Sequence, residues 1–398
     1  FITLQRLFLP EDRLAVDGRL REQLRDVPPG RLLSLLGVKY VITDKVYDVW
    51  IDGVFYDLQF SARLGAHGAC CVTTDDLPDF PATALGIVSH LEDAADLVQD
   101  TTVARVTVAD DLDWSHTFDL RAGRDTAEGR YRPDAAHAPA RVGHTWRDDP
   151  AGSHYLTLIH LDDVHRITHI AFESLLPHGT FVLRGMSLVD TRTRTSQQLT
   201  LSTEGDYRLV HSGDVKIYEN RDVLPRAWVV HRAEIVADAE TTIARMRDVA
   251  FDPTETVLLD AGTALDGTGR GQARITRYEP ERVTIEVETD APGYLVLTDT
   301  DYPGWEATVD GESRPIERAN LVFRAVSVDA GHHTVEFHFR PASFRLGLWV
   351  SLVTAWVGLI ALIGSKAQPS LAFLKNLHRA RSADAGDSQG SNFQQSVK

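Results

Sequence analysis

Apolar and polar residues alternate with period two along much of this chain, the signature of strands with one face in a core. In the first half the pattern runs through TTVARVTVAD (101–110), HYLTLIHL (154–161), RITHIAFESL (166–175) and GTFVLRGMSLVD (179–190). In the second half it returns in RVTIEVETD (282–290), GYLVLTDT (293–300), WEATVDG (305–311), LVFRAVSVDAG (321–331) and HHTVEFHF (332–339). Many short strands separated by turn residues predict β-sandwiches. Asp310-Gly311 is the preferred pair for a two-residue hairpin turn. Val283, Ile285 and Val287 share one face of their strand, and Val335, Phe337 and Phe339 share one face of theirs.

Between these blocks the period changes. LLSLLGVKYVITDK predicts a short helix over Leu32–Leu36, ended by Gly37 at the left-handed C′ position, and then a strand from Val38 to Thr43. DAETTIARMRDVAF predicts a helix capped by Asp238. GTALDGTGRGQAR (262–274) is Gly-rich and lacks the Gly-Lys-Ser/Thr ending of a phosphate loop, so it reads as a linker.

One stretch has no polar period at all. FRLGLWVSLVTAWVGLIALIGSK (344–366) carries no charge between Arg345 and Lys366. A 19-residue helix over Leu346–Gly364 would span roughly 28 Å, close to a bilayer's hydrocarbon core of about 30 Å. Ser351 and Thr354 can bond back to helix carbonyls, which makes them cheap in lipid. Lys366, Lys375, Arg379 and Arg381 follow the span and predict a cytoplasmic tail, with the body on the outer side; Arg340 and Arg345 weigh against this without reversing it.

Charge sharpens the picture. The chain carries a formal −16, whereas the residues after Gly364 hold five basic side chains against Asp384 and Asp387. An acidic body argues against a nucleic-acid surface, which needs clustered Lys and Arg. Cys70 and Cys71, the two cysteines, are adjacent; neighbouring cysteines bridge only through a strained ring, so there is no disulfide framework, and a strand setting predicts both buried. An exported body beginning at Phe1 with no leader implies preceding chain.

Candidate chemistry is sparse. His154, His160, His165 and His169 form the densest histidine cluster, but on a strand they do not converge as helical ligands would. Asp110, Asp111, Asp113, Asp162, Asp163, Asp299 and Asp301 could include the two carboxylates of a glycosidase, a separation that sequence does not provide. No Gly-x-Ser-x-Gly elbow occurs. No catalytic, metal or cofactor residue is therefore assigned. Trp114, Tyr131, Trp146 and Tyr155, in or beside the first sandwich, are candidates for stacking on sugar rings, although core packing explains any single one of them better.

YPGWEATVDG (302–311) and IERANLVFRAVSVDAGHHTVEFHFRPASFRLGLWVSL (316–352) closely resemble the C-terminal end of YfhO-like bacterial membrane proteins. LLSLLGVKYVITDK and VKIYENRDVLPRAWVV (215–230) resemble two further landmarks of that family, and FDLRAGRDTAEGRY with GMSLVD resembles a jelly-roll, carbohydrate-binding-like insert of some relatives. The resemblance implies a GT-C glycosyltransferase type that moves sugar from a polyprenyl-phosphate donor to a cell-envelope acceptor. It also implies catalytic acids in the first extracytoplasmic loop, among N-terminal helices that these residues do not include. The expected organisation is mainly β. An α/β lead-in (1–80) is followed by a jelly-roll sandwich (81–205), an α/β connector (206–261) and a Gly-rich linker (262–273). A membrane-proximal sandwich (274–343), a transmembrane helix (344–365) and a disordered cytoplasmic tail (366–398) complete it. The expected partners are the lipid bilayer and a cell-envelope glycan or lipid-linked sugar. The alternatives are a non-catalytic, membrane-anchored glycan-binding protein and, more remotely, an extracellular glycoside hydrolase.

Overall fold

A computed structural model describes residues 2–9, 27–65, 69–248 and 250–383, with side chains to 363. The protein is mainly β, with one long apolar helix at its C-terminal side. It divides into two compact units, one made of Phe1–Arg274, Glu286–Thr300 and Glu317–His333, the other of Ile275–Ile285, Asp301–Ile316 and Thr334–Lys398.

In the first unit a nine-stranded antiparallel sheet is organised by one 22-residue strand, Ser153–Ser174. The pattern suggested two strands here, HYLTLIHL and RITHIAFESL; the backbone instead runs through Asp162 and Asp163, whose carboxylates occupy a bulge between His160 and His165. Bulges bend and twist a strand. Before the bulge, Tyr155–His160 pair with Ala84–Ser89 of the strand Pro81–Glu92; after it, Ile167–Ser174 pair with Ala104–Asp110. Both halves face one cluster, to which Leu85, Ile87, Phe181 and Leu188 contribute from one side and Val106, Leu120, Ile170 and Phe172 from the other. Each such side chain taken fully out of water contributes about 1.5–3 kcal/mol.

Polar groups fix the bend. His165 bonds Asp110 through Nδ1 at 2.9 Å and Asp162 through Nε2 at 3.1 Å, and its ring stacks on Trp114 with centroids 3.7 Å apart. Burial pulls the His165 pKa down, but the two carboxylates outweigh it and leave it raised. Cys71 begins the edge strand Cys71–Thr74, which pairs with Ile170–Glu173. Both cysteines are exposed, correcting the expectation of burial: among the described residues the strand pairs with a single neighbour at the margin of the sheet, and its first residues stay wet.

The lead-in helix spans Gly30–Leu35 and stops as expected, with Gly37 at φ +68° and the Val38 amide donating to Leu33 O at 2.9 Å. The next strand, Tyr40–Thr43, pairs with Lys216–Asn220, which pairs in turn with Tyr207–Ser212. Lys216 is fully buried here. Its ammonium lies 2.9 Å from Asp57, also bonds Asp48, and sits 5.0 Å from the Phe55 ring centre; the Tyr218 hydroxyl donates to Asp57. Burial, then the Asp57 charge, holds the Tyr218 pKa far above the usual tyrosine range.

Residues read as a connector do more than connect. Arg232–Ile235 and Thr256–Leu259 pair in parallel around the helix Ala239–Arg247, a βαβ unit. Asp238 caps that helix by accepting the Thr241 amide at 2.8 Å, and Arg31 donates to the carbonyls of Met246 and Arg247 at its other end. The seven-stranded sheet containing this unit recruits Gly293–Leu297 and Phe323–Val328 from much later in the chain. The Gly-rich stretch is partly strand, since Leu265–Asp266 pairs with Arg232–Ala233, and Gly271 opens the strand Gly271–Glu279 where a β-carbon would strike Val229.

In the second unit Trp305–Val309 pairs with Glu312–Arg314 across Asp310-Gly311, both at positive φ, the mirror-image turn that suits strand twist. Its other neighbour is Val335–Phe339. Val283, Ile285, Ala307, Val309, Val335 and Phe337 are buried, in agreement with the alternation. Gly304, at φ +109°, reverses the chain, and a side chain there would meet Phe339 and Pro341. The helix Ala342–Ala383 follows. Its apolar part, Ala342–Ile363, is 22 residues long, about 33 Å at the α-helical rise, and its large apolar side chains are exposed. Thr354 bonds back to Val350 O at 2.8 Å, as lipid burial requires. The backbone stays helical past residue 365, through the good helix formers Leu371, Ala372 and Leu374, where a disordered tail was expected; 384–398 lie outside the described residues.

Replacing Lys216 with Met would strand Asp48 and Asp57 beside a dry cluster. We expect Lys216→Met to destabilise the first unit by about 3–5 kcal/mol, the usual cost of breaking a buried pair, measured by denaturant unfolding followed by tryptophan fluorescence; a loss under about 1 kcal/mol, the range of exposed pairs, would show that water reaches the ammonium.

Candidate functional site

The nine-stranded sheet carries a cleft of about 950 Å³, built by the end of the strand Pro81–Glu92, the turn that follows it, and the segment 128–136. Backbone bonds tie these pieces together. Leu91 N donates to Ala127 O and Gly129 N to Leu91 O, each at 2.8 Å, and Ala136 N donates to Ala95 O at 2.7 Å. Buried His137 bridges Leu97 O at 2.9 Å and the Glu128 amide at 3.2 Å; the amide can only donate, so His137 Nε2 is bare and Nδ1 carries the proton. The cleft wall carries Glu92, Asp93, Asp96, Glu128 and Asp134 beside Arg130 and Arg132, with Trp146 as its large aromatic side chain.

Trp146 is held from several sides. A β-carbon on Gly152 would overlap the indole, and one on Gly129 would collide with both the indole and His90, so glycine is required at both positions by close approach. Arg130 lies 5.6 Å from the ring centre and bonds Asp149 at 2.9 Å. Behind the ring, Trp146 Nε1 donates to His154 Nδ1 at 3.1 Å; His154 Nδ1 lies 3.1 Å from His90 Nδ1, and His90 Nε2 lies 3.3 Å from Glu92, which also accepts from Arg63. Burial depresses both imidazoles, His154 to about 2 with the His90 charge adding to the effect. The His90 and Arg63 hydrogen bonds lower Glu92 to about 2 against its own burial. Burial raises Glu128. The arrangement has a fixed ring, fixed carboxylates and two guanidinium groups, but no nucleophile–base pair aimed into the space.

Of the four stacking candidates, only Trp146 lines the cleft. Tyr131 is half-buried between the two cleft arginines in sequence. Tyr155 is 1% exposed, packs with Ala127 and Ala140, and spends its hydroxyl on Glu128 O at 2.8 Å, leaving no ring face for a ligand. Trp114 lies at the strand bend on His165. Sequence reasoning missed His90, Glu92 and Glu128, which reach the site through pairings across 30–60 positions. Among the described residues no group of three or more His, Cys, Asp or Glu could hold a metal ion.

These features define a mainly β protein with a polar cleft and one helix long and apolar enough to cross a membrane. Residues 263–351 match the family described as bacterial membrane protein YfhO, so this part of the chain is YfhO-like, and family and helix agree on a membrane location. No curated protein matches the chain. Among solved structures, the cryo-electron microscopy structure of the mycobacterial arabinofuranosyltransferase AftD is 10% identical over 79% of this chain and 25% of that one, with a TM-score of 0.17. A mutant of the same protein is 9% identical over 76% and 26%, also at 0.17. The chain spans about a quarter of their length.

The depressed histidines set a sign. Below about 6.5 the unfolded chain binds protons at His90 and His154 that the folded chain refuses, so their burial makes stability fall as pH drops through that value. We expect the thermal midpoint to decrease from pH 7 to pH 5 and His154→Gln to flatten part of the slope; an unchanged slope in the variant would contradict a buried, neutral His154.

Proposed function

We propose that this chain is the extracytoplasmic part of a membrane-anchored, GT-C-type glycosyltransferase that uses lipid-linked sugar, and that the Trp146 cleft holds a cell-envelope glycan. The observation that carries the glycan reading is the cleft itself. Sugar rings present an apolar face of C–H bonds and a rim of hydroxyls, so they suit an immobile indole surrounded by groups of both hydrogen-bonding senses. Asp93, Asp96 and Asp134 accept from hydroxyls, while Arg130 and Arg132 donate to them.

The membrane part of the proposal rests on the YfhO-like stretch that ends in the apolar helix. On this reading the nine-stranded sheet is a jelly-roll-like sandwich closed by its bent strand, the body lies outside the membrane, and the basic residues after Gly364 lie in the cytoplasm. On the same reading, the catalytic acids belong to an extracytoplasmic loop among helices that these residues do not include. A glycan-binding envelope protein without catalysis would use the same cleft.

The test is binding of cell-envelope polysaccharide fragments to the detergent-solubilised chain by calorimetry. Trp146→Ala should weaken binding about tenfold or more, equivalent to about 1.4 kcal/mol. Trp50→Ala, which removes an indole 70% exposed and outside the cleft, should not. Equal losses in the two variants, or no binding by the unmodified chain to any fragment, would refute the assignment.

A further inference from the structure

Cys70 and Cys71 are the chain's only cysteines, both exposed, with sulfurs 3.2 Å apart in the thiol form. Their backbone is anchored: Cys70 O accepts the Ser174 amide at 2.9 Å, and Cys71 stands opposite Glu173 on the edge strand. Neither thiol packs into the core of the sheet, so the pair is not retained for filling space. Any disulfide within this chain can form only between these two.

We propose that Cys70 and Cys71 form a reversible dithiol–disulfide pair that exchanges with external disulfides. Closing a ring across consecutive residues departs from relaxed disulfide geometry, and strain makes such a bond easy to reduce. Strained, exposed disulfides belong to the labile class, not to the staples that hold small secreted domains. Exposure admits the oxidant, and the neighbouring thiol, already 3.2 Å away, resolves the intermediate without a distant segment having to approach.

The step balances as thiol–disulfide exchange. The Cys70 thiolate attacks one sulfur of an external disulfide, forming a mixed disulfide and releasing one thiol. The Cys71 sulfur then attacks Cys70 Sγ, forming the S–S bond and expelling the second thiol. Two electrons pass from the pair to the external disulfide, and the two protons leave with the released thiols. The Cys71 thiol is raised, first by its hydrogen bond with Cys70 and then by the Cys70 charge.

The experiment equilibrates the detergent-solubilised full chain in glutathione buffers of graded reduced-to-oxidised ratio, traps free thiols with a maleimide, and reads the intact mass. The unmodified chain should pass from two maleimides to none with no glutathione attached, and excess reduced glutathione should restore both. Cys70→Ser and Cys71→Ser should instead accumulate one glutathione as a persistent mixed disulfide. Two alkylatable thiols at the most oxidising ratio, a stable glutathione adduct on the unmodified chain, or disulfide-linked dimers in place of the internal bond would each overturn the proposal.

Discussion

A strand of 22 residues cannot remain flat and also keep its buried side chains against one core. The twist inherent in paired strands accumulates along Ser153–Ser174 until the ladder breaks, and it breaks where Asp162 and Asp163 can stay in water. Buried side chains from both sides of that bend meet in one cluster. The bend also distributes the chemistry. The half before the bend carries His154 behind the cleft's indole and Tyr155 beneath Glu128, the half after it supports the edge strand with Cys71, and the bend holds the Trp114–His165 stack.

In the lysine cluster and behind the cleft, buried polar groups are met by partners that the fold holds in place. Lys216 meets two carboxylates and an aromatic face; His90 and His154 are kept neutral by dehydration, with Trp146 and Glu92 taking up their nitrogens. Such partners let a strongly acidic chain place Glu92 and Glu128 at a cleft wall. Glu92 is compensated by Arg63, and Glu128 accepts the Ala94 amide.

Local signals in the sequence were reliable wherever physics is local. Asp238 capped its helix, Gly37 ended one, Asp310-Gly311 turned a hairpin, and the alternating valines of 283–287 faced inward. What escaped was set by distance along the chain. Two acidic residues between apolar runs look like a turn, and only the flanking partners at 81–89 and 104–110 show that the strand continues. Trp146 and Tyr155 looked equivalent by residue type; the glycines that seat one and the loop that covers the other lie elsewhere in the sequence. The cysteines sit in an alternating pattern that reads as buried, and the absence of a second partner strand among the described residues is not written locally.

The seven-stranded sheet interleaves early and late chain. Ala227–Val230 finds its partner only at Gly293–Leu297, and Leu259 is matched to Ala319. A ribosome releases the earlier strands many seconds' worth of elongation before the later ones, at roughly 5–20 residues per second. Through that interval the βαβ piece has an open edge and an unfinished apolar face. Assembly of this part therefore waits until Phe323–Val328 has been made, which places a premium on whatever shields nascent strands at the exit site.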